Sequence, residues 1–236
     1  LARRGKGLAG AKAPTPRAEE YLETIYMLHE EGQPVIGARL AEILGISRAT
    51  VTVTLKRLQR DGLVAVDERK HIVLTQRGAA IAGASMRRHR LVERLLTDVL
   101  GMDWARSDAE AHSIEHCISP EVEEALNRFL GYPSRCPHGN PIPFNPLPED
   151  QQLEQRLANQ PVGTVARVVR VAEPVESAAE FLEFVQSRGL VPGVRVQVVD
   201  VAPGGGPLTL IVGERPVSIE QRIASLLWVI PELMAR

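Results

Sequence analysis

The sequence predicts a mainly α protein in three parts: a winged helix-turn-helix domain, a helical middle domain and a small C-terminal β-barrel. Three observations predict it. Short helical segments joined by Leu44-Gly45-Ile46-Ser47 are followed directly by two alternating strands. A stretch of almost wholly helical pattern runs over residues 75–130. After residue 160 the pattern changes to short, glycine-punctuated β runs. The expected boundaries are a flexible tail at 1–15, the winged domain at 16–74, the helical domain with a proline-rich connector at 75–148, and the barrel at 160–230.

The first helix is expected over Arg17–Glu31, with Leu22, Ile25, Tyr26 and Leu28 at helical spacing and Gly32 ending it. Val35–Leu44 is a short helix closed by Gly45. Ser47 caps a helix over Arg48–Asp61 that buries Val51, Leu55 and Leu58. Leu63–Val66 and His71–Leu74 form the wing across a charged turn. Such a helix enters the major groove of DNA by its N-terminal end. Its exposed residues are Arg48, Ala49, Thr50, Thr52, Val53, Lys56, Arg57 and Arg60. Ser47, Thr50 and Thr52 suit phosphate or base edges, and Ala49 and Val53 suit thymine methyl groups. Arg57 and Arg60 suit phosphate anchoring, and Arg39 adds to the same basic region.

Charge is unevenly distributed. From Arg39 to His71 seven Lys/Arg face four acids, a net +3, whereas Gly101 to Leu130 holds two basic residues and seven acids, a net −5. One part suits DNA and the other suits cations.

A long helix is expected over Thr75–Gly101, where Gly78 and Gly83 weaken the pattern and Met86, Leu91, Val92, Leu95, Leu96 and Val99 keep an apolar side. A second helix is expected over Ser107–Cys117. Ser119-Pro120-Glu121 starts a third, with Val122, Leu126, Phe129 and Leu130 on its apolar face. Three helices beside a DNA-reading domain point to a dimerisation unit, since operators are read by symmetric pairs. Six prolines from Pro133 to Pro148 then exclude a regular helix or central strand and mark a connector. The barrel is expected from Val165–Val171, a helix near Ala178–Ser187, and strands over Val194–Val199, Pro207–Val212 and Arg215–Ile219. Phe181, Phe184 and Trp228 would close its core.

Apolar residues make up 44% and charged residues 24%, ordinary for a globular protein, and no run of about 18 apolar residues could span a membrane. The basic opening Leu1–Gly7 lacks the apolar segment of a signal peptide. Cys117 and Cys136 make no disulfide framework, so a reducing, cytoplasmic compartment is expected.

The run His112-Ser113-Ile114-Glu115-His116 has the H-x-x-E-H form of one class of zinc metalloprotease. On a helix, at about 100° per residue, His112, Glu115 and His116 share one face. Imidazole with carboxylate suits Mn, Fe, Co, Ni or Zn. His89 and Glu93 form an i, i+4 pair, Asp108 lies one turn before His112, and Glu20 and Glu23 stand on the first helix. The plain alternatives are a surface ion pair for His89 and Glu93 and a solvated face for the rest. A protease would use Glu115 as general base. The other regions leave little from which to build a peptide cleft, so neither an enzyme nor a small organic substrate is expected.

The chain resembles the diphtheria toxin repressor family of iron- or manganese-dependent transcriptional regulators. The likeness rests on Glu20-Tyr21-Leu22-Glu23-Thr24-Ile25-Tyr26, on Met86 to Leu96, on Glu115-His116 and on Gly139-Asn140-Pro141-Ile142-Pro143. The resemblance implies a winged helix domain, a helical dimerisation and metal-binding domain, and an SH3-like barrel. It implies one metal site from Glu20, His112, Glu115 and His116, with Glu23 as in manganese-responsive members. It implies a second from His89, Glu93 and Asp108, with Glu180 or Glu176 reaching in from the third domain. Iron-responsive members place methionine at Glu20 and cysteine at His112, and glutamine at Val53. The harder donors here favour Mn(II), with Fe(II) the alternative and Zn(II) or Co(II) as substitutes in vitro. The implied function is a homodimeric, metal-dependent repressor that binds double-stranded operator DNA of metal-homeostasis genes. Metal would tie the reader and helical domains together.

Overall fold

Thr15 opens the first helix: its Oγ1 accepts from the Ala18 amide at 3.3 Å, and Pro16 takes the first helical position. This computed structural model describes residues 14–172 and 178–232, and the chain divides into two units, residues 1–82 and 83–236. In the first unit α1 (Pro16–Glu30), α2 (Gly37–Ile43) and α3 (Arg48–Arg60) precede an antiparallel hairpin of β1 (Val64–Val66) and β2 (Ile72–Leu74). Tyr21, Leu22, Ile25, Leu40, Val51, Leu58, Leu63 and Ile72 are buried in it. Leu55, expected in this core, is half-buried. Ser47 caps α3 as expected, accepting from the Thr50 amide at 3.1 Å. The winged helix-turn-helix is therefore formed.

α4 (Gln76–Arg94) begins in this unit. Thr75 Oγ1 accepts from the Gly78 amide at 3.0 Å and donates to the Gly62 carbonyl at 2.7 Å. Gly78 lies directly over the chain entering β1, where a Cβ would stand 1.9 Å from the Leu63 carbonyl oxygen. The glycine that weakens the helical pattern is required by this close approach.

In the second unit α4 runs on into a π-helical turn over Leu95–Val99. α5 (Trp104–Ile114) starts before the expected Ser107, because Asp103 supplies a cap by accepting from the Arg106 amide at 3.0 Å. A 3₁₀ turn over Glu115–Cys117 leads to α6 (Pro120–Phe129), capped by Ser119. The proline-rich segment is ordered: Arg135 pairs with Pro141 through a β-bridge and holds Asp150 and Glu154 at 2.8 and 2.7 Å.

The remaining elements are β3 (Gln155–Arg156), β4 (Val165–Val171), α7 (Ala178–Ser187), β5 (Arg195–Val201), β6 (Leu208–Val212), β7 (Arg215–Ile219), α8 (Gln221–Ala224) and β8 (Leu227–Pro231). The strands form one antiparallel sheet in the order β3-β8-β4-β5-β6-β7. The expected SH3-like barrel is not formed. β3 and β7 stand at opposite edges of an open sheet, with no pairing between them among the described residues. Helices cover the apolar side that closure would have hidden: Leu182 and Val185 of α7 and Trp104 and Ala105 of α5 share one core with Val168, Val196, Leu210 and Val229. Phe181 and Phe184 pack at the margin of that core. Trp228 does not close it; the guanidinium groups of Arg156 and Arg170 each lie 4.3 Å from its ring centroid.

Glycine-to-alanine changes in helix interiors ordinarily stabilise by about 1 kcal/mol. Gly78→Ala is expected instead to destabilise by about 1–3 kcal/mol, because the added methyl group overpacks the Leu63 carbonyl. Urea unfolding of the variant checks the sign.

Candidate metal centre and reader surface

His89 and Glu93 project from one face of α4, four residues apart. Opposite them α5 ends at Ile114 and tightens into the 3₁₀ turn. This corrects the expectation of one α-helical face through His116. Glu115 points inward with 1% of its side chain exposed, whereas His112 is 56% and His116 22% exposed. Arg88 of α4 fixes the turn by donating from Nε to the Glu115 carbonyl at 3.0 Å.

His89 lies between two groups. Its Nδ1 is 2.8 Å from Glu115 Oε2, and its Nε2 is 3.4 Å from Glu93 Oε1 and 3.5 Å from Asp108 Oδ1. Glu115 Oε1 is in turn 3.3 Å from His112 Nδ1 and 3.5 Å from His116 Nε2. Glu93 Oε1 is 3.2 Å from Nδ1 of His138. Among the described residues of the second unit, three triads each bring a ligand atom per residue within 4.8 Å of the others: His89, His112 and Glu115; His89, Glu93 and Asp108; and Glu93, Cys136 and His138.

The last triad was not anticipated beyond Glu93. Cys136 and His138 are buried, as is Glu93, and they come from the proline-rich segment. The available signal was the Cys-x-His spacing itself, followed by Gly139, whose φ of +89° bends the chain back.

Electrostatics mark the same residues. Burial alone would lower the His89 imidazole, but Glu93 above all, with Asp108 and Glu115, holds it well above its ordinary value. Burial would raise the Glu93 carboxyl, but His138 and then His89 hold it well below the usual carboxylate range. Glu115 is likewise lowered against its burial, by His112 and His89. Buried carboxylates that face imidazoles and a thiol fit a divalent cation, which would meet donors already gathered and desolvated.

The remaining expected ligands stand on other segments of the chain. On α1, Glu20 pairs with Arg17 at 2.8 Å, and Glu23 is buried. Glu180 is exposed and lines an open cleft with Asp103, Arg106, Glu183 and Gln186, and it joins none of the triads. Glu176 lies outside the described residues.

In the first unit, Ser47, Arg48, Ala49, Thr50, Thr52, Val53, Lys56, Arg57 and Arg60 are all exposed, Val53 by 70%. The hydroxyl groups are partly committed: Ser47 Oγ lies 2.9 Å from Thr50 Oγ1, and Thr52 donates to the Arg48 carbonyl at 2.8 Å. Arg39 pairs with Glu42 at 3.0 Å.

Residues 14–72 match the N-terminal DNA-binding domain of the iron-dependent repressors, and residues 75–144 match their metal-binding and dimerisation domain. Over 216 residues the chain is 42% identical to the iron-dependent repressor IdeR of Mycobacterium tuberculosis, covering 87% of this chain and 93% of that one. The chain belongs to the diphtheria toxin repressor family of metal-dependent transcriptional repressors. Within this family it is 49% identical over 125 residues to the diphtheria toxin repressor of Corynebacterium diphtheriae, covering 53% of this chain and 55% of that one. Residues 155–231 match the FeoA domain, which names the open-sheet region. A manganese-dependent transcriptional repressor in complex with manganese superposes with a TM-score of 0.79 at 28% identity, covering 91% of this chain and all of that one. The IdeR of T. acidophilum superposes with a TM-score of 0.76 at 27% identity, covering 94% of this chain and all of that one. Membership of this repressor family, with Glu115 enclosed by imidazoles, sets the protease reading aside. No helix among the described residues is long and apolar enough to cross a membrane.

The shifts fix how stability of the metal-free chain depends on pH. His89 has a raised pKa, so its contribution is complete below the ordinary imidazole value of about 6.5 and is lost as pH rises through the raised value. Glu93 and Glu115 are lowered, so theirs is present above the ordinary carboxylate value and lost as pH falls. Urea midpoints of the chelated wild type should therefore decline on the alkaline side of about pH 6.5, and His89→Gln should flatten that limb. An identical slope in the variant would show that His89 is not the group responsible.

Proposed function

We propose that the chain represses transcription when Fe(II) or Mn(II) fills the clustered donors, binding operator DNA as a homodimer. The observation that carries the reading is the gathering of His89, Glu93, Asp108, His112 and Glu115 in one unit, with His116 against Glu115. His112, Glu115 and His116 would hold one cation, and Glu93, Cys136 and His138, with His89 between, would hold another. Glu20 and Glu23 of α1 are proposed to belong to the first set, and Asp108 to serve with His89 and Glu93. When bound, a cation would supply positive charge in place of the imidazole protons and fix the directions of the side chains.

Iron is the first reading, because the curated relatives of 40–42% identity carry iron dependence in their names. Manganese is favoured by the donors, since imidazole and carboxylate replace the softer sulfur ligands expected of iron-type sites at His112 and Glu20. Either ion need only prefer the DNA-competent state. A preference of about 100-fold shifts the equilibrium by about 2.7 kcal/mol.

On the DNA side, α3 is proposed to enter the major groove with Ala49 and Val53 toward bases and Arg57 and Arg60 toward phosphates. Dimerisation is supported by apolar side chains left in solvent on the second unit: Val99 and Leu100 at the end of the π-helical turn and Val122 and Phe129 on α6, exposed by 50, 63, 54 and 68%.

The test is duplex DNA selected from a random pool by the metal-loaded protein, titrated anaerobically with Fe(II), Mn(II) and Zn(II) in turn. His116→Ala and Glu20→Ala should each weaken metal-dependent binding by about 10-fold or more while the metal-free melting curve is kept. Unchanged metal dependence in either variant removes that residue from the ligand set. If no ion alters DNA affinity, the sensor reading fails.

Arg60→Ala gives a separate check of the reader surface. It should weaken binding to all sequences alike and reduce the slope of log affinity against log salt by about one, as loss of a phosphate contact does.

A further inference from the structure

The segment that carries Cys136 and His138 is clamped onto the central sheet. The Cys136 amide donates to the Asn140 carbonyl at 2.8 Å, and the Gly139 amide to the Cys136 carbonyl at 2.9 Å, closing a tight loop. At Gly139 a Cβ would stand 2.1 Å from the Val169 carbonyl oxygen and 2.9 Å from the Arg170 Cα, so the loop rests directly on β4. The Val171 amide donates to the His138 carbonyl at 2.8 Å, and Asn140 Nδ2 donates back to the Val171 carbonyl at 3.0 Å.

One side chain of the sheet completes the clamp. Arg170, 6% exposed, donates from Nη1 to Asn140 Oδ1 at 3.2 Å and from Nε to Glu154 Oε2 at 3.3 Å. Its guanidinium also lies over Trp228. Glu154 is shared with Arg135, whose Nη1 donates to the Gly139 carbonyl at 2.7 Å. Trp104 meets the His138 ring edge-on, with centroids 4.7 Å apart.

We propose that Arg170, acting through Asn140, is a positioning residue for the Cys136–His138 limb of the metal pocket. The inference rests on the proposed ligation by Cys136 and His138. Neither Arg170 nor Asn140 needs to touch the cation. Arg170 holds the Asn140 amide in the orientation that fastens the loop to Val171, and the loop directs thiol and imidazole toward Glu93. Groups that orient ligands from behind commonly change affinity by about 10–100-fold.

Co(II) titration of the full-length protein separates this role from a merely structural one. Bound Co(II) gives a thiolate-to-metal charge-transfer band only where sulfur ligates, whereas the His112–Glu115–His116 donors give ligand-field absorption without it. In the wild type the thiolate band should appear, and Cys136→Ser should abolish it. Arg170→Met keeps an apolar stem over Trp228 and removes the guanidinium. It should weaken Co(II) binding read at the thiolate band by about 10-fold or more and leave the other site's titration unchanged. Arg170→Lys should restore part of the loss. An unchanged thiolate titration in Arg170→Met overturns the proposal, as does equal weakening at both sites, which marks general loosening. Absence of the band in the wild type overturns the ligation by Cys136 itself, and the positioning role with it.

Discussion

The organisation of the second unit depends on keeping charge buried without water. His112, Glu115, His89, Glu93 and His138 follow one another at separations of 2.8–3.4 Å, imidazole alternating with carboxylate. Glu93 and Glu115 are 0 and 1% exposed, so no solvent answers their charge. Removing one partner from such a buried pair costs about 3–5 kcal/mol, so the chain tolerates the row only while each member faces its opposite. Arg88 and the 3₁₀ turn hold one end of the row, and the clamped Cys136–Asn140 loop holds the other. The caps at Asp103 and Ser119 set where the intervening helices begin.

Sequence periodicity exposed the ends of this arrangement and hid its middle. His89 and Glu93 were legible because an i, i+4 pair on a long helix projects to one side whatever surrounds it. The H-x-x-E-H run was legible as a cluster of metal-ligating residue types but not as a shape. Helical spacing assumes a constant turn, and the chain tightens at Glu115. Cys136 and His138 were hidden because proline-rich segments follow no period, and their burial arises from contacts with β4 more than thirty positions away. The reader unit was legible almost throughout, since Gly32, Gly45, Ser47 and Gly62 punctuate its elements locally. The strands of the third region were legible individually. Their closure was not, because alternation shows that a face is apolar and not what covers it. Here α7 and the start of α5 cover it, and the sheet has no need to close.

The acidic excess between Gly101 and Leu130 acquires a different meaning once the helices are placed. Its acids do not form one field. Glu123 is taken by Arg87 at 2.8 Å and approached by Arg88 at 3.9 Å, and Glu124 lies 3.5 Å from Arg87, all across the interface of α4 with α6. Guanidinium groups are permanently charged and carry no lone pair for a metal, so these carboxylates are held in ion pairs and have little to offer a cation. Glu93, Glu115 and Asp108 face histidines instead. Imidazole can give up its proton, and it then becomes a ligand itself. The arginines of α4 thus sort the acids of α5 and α6 into structural ones and metal-competent ones. This sorting, rather than the net charge of the segment, leaves Glu93, Asp108 and Glu115 as the carboxylates that face imidazoles near His89.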